Sequence, residues 1–209
     1  MTYQSIAIIG DSQAGGLAGP LRAELARRNL GPVTGTATID GASTRVLLDR
    51  RKPQALMEHS NPDLVIVALG GNDTGSSSYP RTLAEFVRAL RRPDNSMPEI
   101  LWVGPAYAER PDVDARHLLT AQVQAATLPA LGVRWFDSRE WTSDGPGGVH
   151  AGDGVHFTSN AYAAQASAII DRLVSSPTRV LTIMLGVIGG LALVGGLVSA
   201  SLAYQNRHA

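Results

Sequence analysis

Residues 5–13 read Ser-Ile-Ala-Ile-Ile-Gly-Asp-Ser-Gln, and the fold turns on them. Ile6, Ala7, Ile8 and Ile9 form an apolar run with no polar alternation, the pattern of a strand buried on both faces of a parallel sheet. The run stops abruptly at Gly10-Asp11-Ser12. A buried strand that ends in such a turn carries a serine hydroxyl to the edge of a sheet.

Reading outward, residues 63–69, DLVIVAL, repeat the pattern and close in Gly70-Gly71-Asn72-Asp73. Between these two runs, residues 15–30 read as a helix, with Leu17, Leu21, Leu25 and Ala26 at helical spacing. Residues 33–39 read as a Thr-rich second strand that ends at Asp40-Gly41-Ala42-Ser43-Thr44. Residues 46–57 follow as a helical crossover interrupted at Pro53. Past the second run come a helix over 80–91, a strand over 99–104, a helix over 112–131 and a short strand over 133–137. A Gly-rich loop over 138–157 leads to a last helix over 160–174. This alternation of strand and helix predicts a three-layer α/β/α sandwich with a parallel sheet of about five strands, flavodoxin-like in plan. In such sheets the ligand site lies beyond the carboxyl ends of the strands. Three polar, Gly-containing turns stand at those ends.

Composition narrows the chemistry. The chain of 209 residues carries 18 basic and 18 acidic side chains and is formally neutral, with no basic cluster. Nucleic-acid binding through bulk charge is therefore not expected. The absence of cysteine excludes disulfides, thiolate zinc sites and a cysteine nucleophile.

Four clusters remain: Gly10-Asp11-Ser12, Gly41, Gly70-Gly71-Asn72-Asp73 and Asp153-Gly154-Val155-His156. A serine hydroxyl needs a neighbouring base to act as a nucleophile. His156 is the candidate base, because imidazole titrates near physiological pH. Asp153 lies three residues before it, close enough in a turn to orient the far ring nitrogen and stabilise the imidazolium. The backbone amides of Ser12 and Gly41, with the side-chain amide of Asn72, are the candidate oxyanion donors. His150 is the competing histidine, with no carboxylate three residues before it. Asp137 and Asp144 are fallback orienting carboxylates. His59 and His117 fall in predicted helices and are expected at the surface. Alone, each cluster has a structural reading: a strand-to-helix turn, a backbone-angle glycine, a turn aspartate. A hard-metal cluster of His150, Asp153 and His156 would leave Ser12 and Asn72 unused, so no metal and no cofactor are expected.

These residues resemble the SGNH hydrolase superfamily, the GDSL-like esterases and lipases, over roughly residues 5 to 174. The resemblance implies a serine esterase in which Ser12 is the nucleophile, His156 the base and Asp153 its orienting carboxylate. It gives Gly41 and Asn72, with Ser12, the oxyanion role. Gln13 departs from the pattern, which has leucine there. The implied substrates are lipid acyl esters, acyl thioesters or O-acetyl groups on carbohydrate. The rival class is a non-enzymatic membrane or virion component built on the same fold, which would not need all four polar residues together.

The C-terminal end reads differently. After a linker over 175–179, residues 180–204 run for 25 positions without a charge. About 20 apolar residues suffice for a helix to cross a bilayer. Arg179 and Arg207 bracket the run, and Tyr204 sits at its edge as interfacial residues do. A single transmembrane helix is expected, followed by a short tail over 205–209, with residues 1–174 as the hydrolase domain. Gly186, Gly189, Ala192, Gly196, Ala200 and Ala203 form one small-residue stripe, the kind of face through which membrane helices self-associate as homo-oligomers. Residues 1–4 carry no basic n-region. The expected topology is a C-terminal anchor with the catalytic domain on the cytoplasmic side. Anchorage in a viral membrane is the alternative that would bring such an enzyme to an envelope substrate.

Overall fold

The apolar runs become adjacent central strands. β1 (Ile6–Gly10) and β3 (Leu64–Ala68) are buried at every position and pair in parallel, Ile6 opposite Leu64 through Gly10 opposite Ala68. β2 (Val33–Thr38) flanks β1, while β4 (Glu99–Val103) and β5 (Arg134–Phe136) extend the sheet beyond β3. All pairings are parallel, in the order β2-β1-β3-β4-β5. The structure, a computed structural model, describes residues 2–143 and 149–175. The described residues up to Asp171 belong to one compact unit.

Side chains alternate across the strands and need cover on both faces. On one face Ala7, Ile9, Val65, Val67, Ile100 and Trp102 share a core with residues of α2 (Thr44–Asp49), α3 (Lys52–Ser60) and α4 (Tyr79–Ala89). Phe86 meets Trp102 edge-on there, centroids 5.4 Å apart. The alternate residues Ile6, Ile8, Leu64, Ile66 and Leu101 are fully buried on the other face, where α1 (Ser12–Arg27) lies against β1, β2 and β3. α5 (Pro111–Thr127) is followed by a 3-10 turn, Pro129–Leu131, that ends at Gly132 and leads into β5. α6 (Ser138–Ser143) and α7 (Ser159–Ser175) complete the described chain.

The differences from the sequence reading are local. α1 begins at Ser12 rather than Gly15, because Asp11 caps it by accepting from the Gln13 amide at 2.9 Å. Pro53 does not interrupt a helix. It lies in the first turn of α3, where its missing N–H costs nothing, and the break falls at Arg51, which is left-handed with φ 52°. The loop expected over 138–157 contains α6. The uncharged run over 180–204 and its small-residue stripe lie outside the described residues. Among the described residues no helix is long and apolar enough to cross a membrane.

Gly10 shows how tightly β1 is built into the sheet. A β-carbon there would stand 1.8 Å from the Ala68 carbonyl oxygen and 2.8 Å from the Ala14 β-carbon. Gly10→Ala must therefore push β1 away from β3. Overpacking typically costs about 1–3 kcal/mol, and backbone leaves less room to yield than a side chain. A clear drop in melting temperature by calorimetry is expected, and unchanged stability would show that this contact relaxes freely.

Candidate active site

The end of β1 and the start of α1 place Ser12 in the first turn of a 16-residue helix. The first N–H groups of a helix have no intrahelical acceptor and carry the positive end of its dipole. Ser12 thus presents both a hydroxyl and an outward-facing amide at the sheet's carboxyl edge.

Asp153 and His156 arrive from the opposite end of the domain on a turn that folds on itself. Asp153 Oδ1 accepts from the amides of Val155 at 3.0 Å and His156 at 2.9 Å. Its Oδ2 lies 2.5 Å from His156 Nδ1. Gly154 closes the turn at φ +67°, and its carbonyl accepts from the Glu109 amide at 2.8 Å. His156 Nε2 lies 2.7 Å from Ser12 Oγ. With Nδ1–H donating to Asp153, Nε2 is left to accept from the serine hydroxyl. The His156 imidazole beside Asp153, followed by two backbone amides, holds that carboxyl well below the usual carboxylate range.

Gln13 ties the two halves together. Its Nε2 donates to the Val155 carbonyl at 3.0 Å, and its Oε1 accepts from the Tyr162 hydroxyl at 2.8 Å. The leucine of the motif could make neither bond.

Asn72, on the loop after β3, lines the same cleft as Ser12 and His156. Its amide donates to Asp11 Oδ2 at 3.1 Å and to the Ala42 carbonyl at 3.3 Å. Gly41 is exposed, takes φ +70° and does not line the cleft; the loop that it helps turn reaches the site through the Ala42 carbonyl. Asp73 faces the interior, where it accepts from the Thr44 amide and from its hydroxyl at 2.7 Å. Burial pushes the Asp11 carboxyl up to about 7.

The three other described histidines take different places. His150 is turned away from Ser12. Its side chain is only 3% exposed, with Nε2 2.9 Å from the Tyr107 carbonyl and Nδ1 3.4 Å from Glu109. His117 is not on the surface as expected. It is buried in the cleft wall, with Nδ1 2.8 Å from the Ala106 carbonyl and Nε2 3.2 Å from that of Gly71. His59 is exposed. Asp144 lies outside the described residues, and Asp137 accepts from the Arg139 amide. Among the described residues no group of His, Asp and Glu is arranged to hold a metal ion. The sequence reading also missed the far side of the cleft, made by Arg110, Val113, Arg116 and His117 of α5 and its cap.

Residues 5–164 match the model of the GDSL-like lipase/acylhydrolase family. The chain belongs to that family. It is therefore an enzyme of the SGNH ester-hydrolase class, and the observed parallel sheet is the SGNH fold. Similar solved structures carry the same fold. A lipase/acylhydrolase from Enterococcus faecalis is 21% identical, with a TM-score of 0.66 over 82% of this chain and 95% of that one. A catalytic mutant of an acetylxylan esterase from Geobacillus stearothermophilus is 16% identical, with a TM-score of 0.63 over 84% and 96%. The catalytic domain of a Streptococcus pneumoniae peptidoglycan O-acetyltransferase is 19% identical, with a TM-score of 0.60 over 86% and 95%. No curated protein matches the sequence.

Proposed function

We propose that this GDSL-like hydrolase is a membrane-anchored serine esterase working through Ser12, His156 and Asp153. The carrying observation is the continuous chain from Ser12 Oγ to His156 Nε2 at 2.7 Å and from His156 Nδ1 to Asp153. As Ser12 Oγ bonds to the ester carbonyl carbon, its proton passes to His156 Nε2, and Asp153 stabilises the imidazolium. The carbonyl electrons move onto oxygen, which the Ser12 amide and the Asn72 side chain would receive once substrate draws that amide from Asp11 or Ala42. Collapse expels the alcohol with the proton held by His156. Water then attacks the acyl-enzyme by the reverse proton path.

The cleft has a volume of about 250 Å³, below the range of roughly 300–1,000 Å³ usual for sites that enclose drug-sized ligands. That favours a short acyl group. The acetyl chemistry named for two of the similar structures points the same way, toward O-acetyl groups on carbohydrate over long lipid chains. A panel of p-nitrophenyl esters of rising chain length tests this, with kcat/KM highest at two to four carbons. A monotonic rise to long chains would exclude the short-acyl reading, and no turnover at any length would exclude the esterase.

The anchor is proposed on the uncharged run over 180–204, with the catalytic domain facing the cytoplasm. Full-length protein should resist alkaline carbonate extraction, and the domain should be cut by protease only in inside-out vesicles. Release by carbonate would exclude a spanning segment.

Gln13 supplies a further prediction. Gln13→Leu deletes the link to Val155 and leaves the Tyr162 hydroxyl without its acceptor. A net hydrogen bond is worth about 0.5–1.5 kcal/mol, so kcat should fall roughly 2- to 13-fold by loosening His156, with KM nearly unchanged. An effect confined to KM would place Gln13 in substrate binding instead.

A further inference from the structure

The cleft in front of Ser12 has two positively charged residues at its far wall. α5 and its cap contribute Arg110 and Arg116 beside His117. Neither guanidinium is taken up by the fold. Arg116 is exposed and has no hydrogen bond or ion pair among the described residues. Arg110 pairs with Asp112 at 3.1 Å, with side chains 58% and 69% exposed, a pairing worth little in water.

One contact places Arg110 at the site, and Arg116 lines the cleft next to His117 in the chain. A β-carbon at Gly154 would lie 3.7 Å from Arg110 Cγ, so the Arg110 stem runs along the turn that holds Asp153 and His156. Arg116 is close enough to the His117 ring to act with burial in holding that imidazole below its ordinary pKa. The nearby carboxylates have partners of their own. Asp114 is bound to Arg139 at 2.6 Å, Glu109 faces His150, and Asp153 is engaged by His156. Asp11 is buried beneath the serine turn. Of the charged side chains that line the cleft, Arg116 alone has no hydrogen-bond or ion-pair partner among the described residues.

We infer that the ester taken by this site bears an anionic oxygen group, a carboxylate or phosphate, within reach of Arg110 and Arg116. This rests on the serine-esterase reading above and adds the electrostatic class of the substrate. Two cations beside a partly desolvated cleft raise the local concentration of an anionic ester and hold it in place.

The test compares matched ester pairs on the full-length chain in non-ionic detergent. One pair places the anion on the alcohol, 4-acetoxybenzoate against 4-acetoxybenzamide. The other places it on the acyl group, the mono-p-nitrophenyl ester of succinate against its methyl ester. In at least one pair kcat/KM should favour the anion by roughly tenfold at low salt, with the preference shrinking as ionic strength rises. Arg110→Gln with Arg116→Gln should bring that ratio close to one, and the corresponding lysine pair should restore most of it. A wild-type ratio of one or less in both pairs overturns the inference, as does a preference that survives double neutralisation. Turnover of the neutral esters in either case leaves the esterase reading standing. Failure of all four esters overturns that reading, and this one with it.

Discussion

Ser12→Ala is expected to abolish ester hydrolysis while leaving the melting temperature close to that of the parent. Removing a member of a serine-histidine-aspartate set typically lowers turnover by roughly 10⁴- to 10⁶-fold. The hydroxyl makes its bond to His156 at 2.7 Å, at the partly exposed head of α1. The fold there is held by other atoms: the Asp11 cap on the Gln13 amide and the buried leucines Leu17, Leu21 and Leu25 beneath. A fluorophosphonate probe should label Ser12 in the parent and nothing in the variant. Near-normal turnover by Ser12→Ala would dismiss the covalent mechanism, whereas joint loss of turnover and stability would mean that the hydroxyl is structural.

How much of this was legible beforehand depended on whether burial and hydrophobicity coincide. In β1 and β3 they do. Every position is apolar and every position is buried, so the strands, their parallel pairing and the turns at their ends followed from the pattern. Ser12 and Asn72 could be named because each stands in such a turn, and Asp153 and His156 because of their three-residue spacing in a Gly-rich loop. In α5 they do not coincide. Its inward face is Val113, His117, Thr120, Ala121 and Gln124, while Leu118 and Leu119 are 41% and 54% exposed. The inward polar groups are paid for by hydrogen bonds that no periodicity predicts: Gln124 to the Leu69 carbonyl and Tyr79 hydroxyl, both at 2.9 Å, and Thr120 to the Asp73 carbonyl. Hence His117 was expected at the surface and the α5 wall of the cleft went unseen. The start of α1 was within reach, since aspartate is a strong N-cap residue and Asp11 stands where one belongs. Six-residue α6 is too short for periodicity to reveal, although Thr142 closes it locally by donating to the Ser138 carbonyl at 2.7 Å.

The two histidines six residues apart give the sharpest separation of role from proximity. His150 and Phe157 face each other across an isolated antiparallel bridge, their rings 5.2 Å apart. Together with the Ala151 amide bonding to the His156 carbonyl at 2.7 Å, this narrows the loop that presents His156. His150 therefore shapes the loop, and His156 at its far side meets Ser12. His156→Ala should be as damaging as Ser12→Ala, roughly 10⁴-fold or more in turnover, because the nucleophile then lacks its proton acceptor. Combining the two should add little, since residues that act as a unit are not additive. His150→Ala removes a buried ring and one hydrogen bond. It should lower the melting temperature and cost less than about tenfold in turnover, with most of the loss recovered on cooling as the loop re-forms. Turnover measured for all three variants beside their thermal unfolding decides the matter. If His150→Ala were the inactive protein and His156→Ala the merely unstable one, the base would be His150, and the bond from His156 to Asp153 would be no more than the closure of a turn.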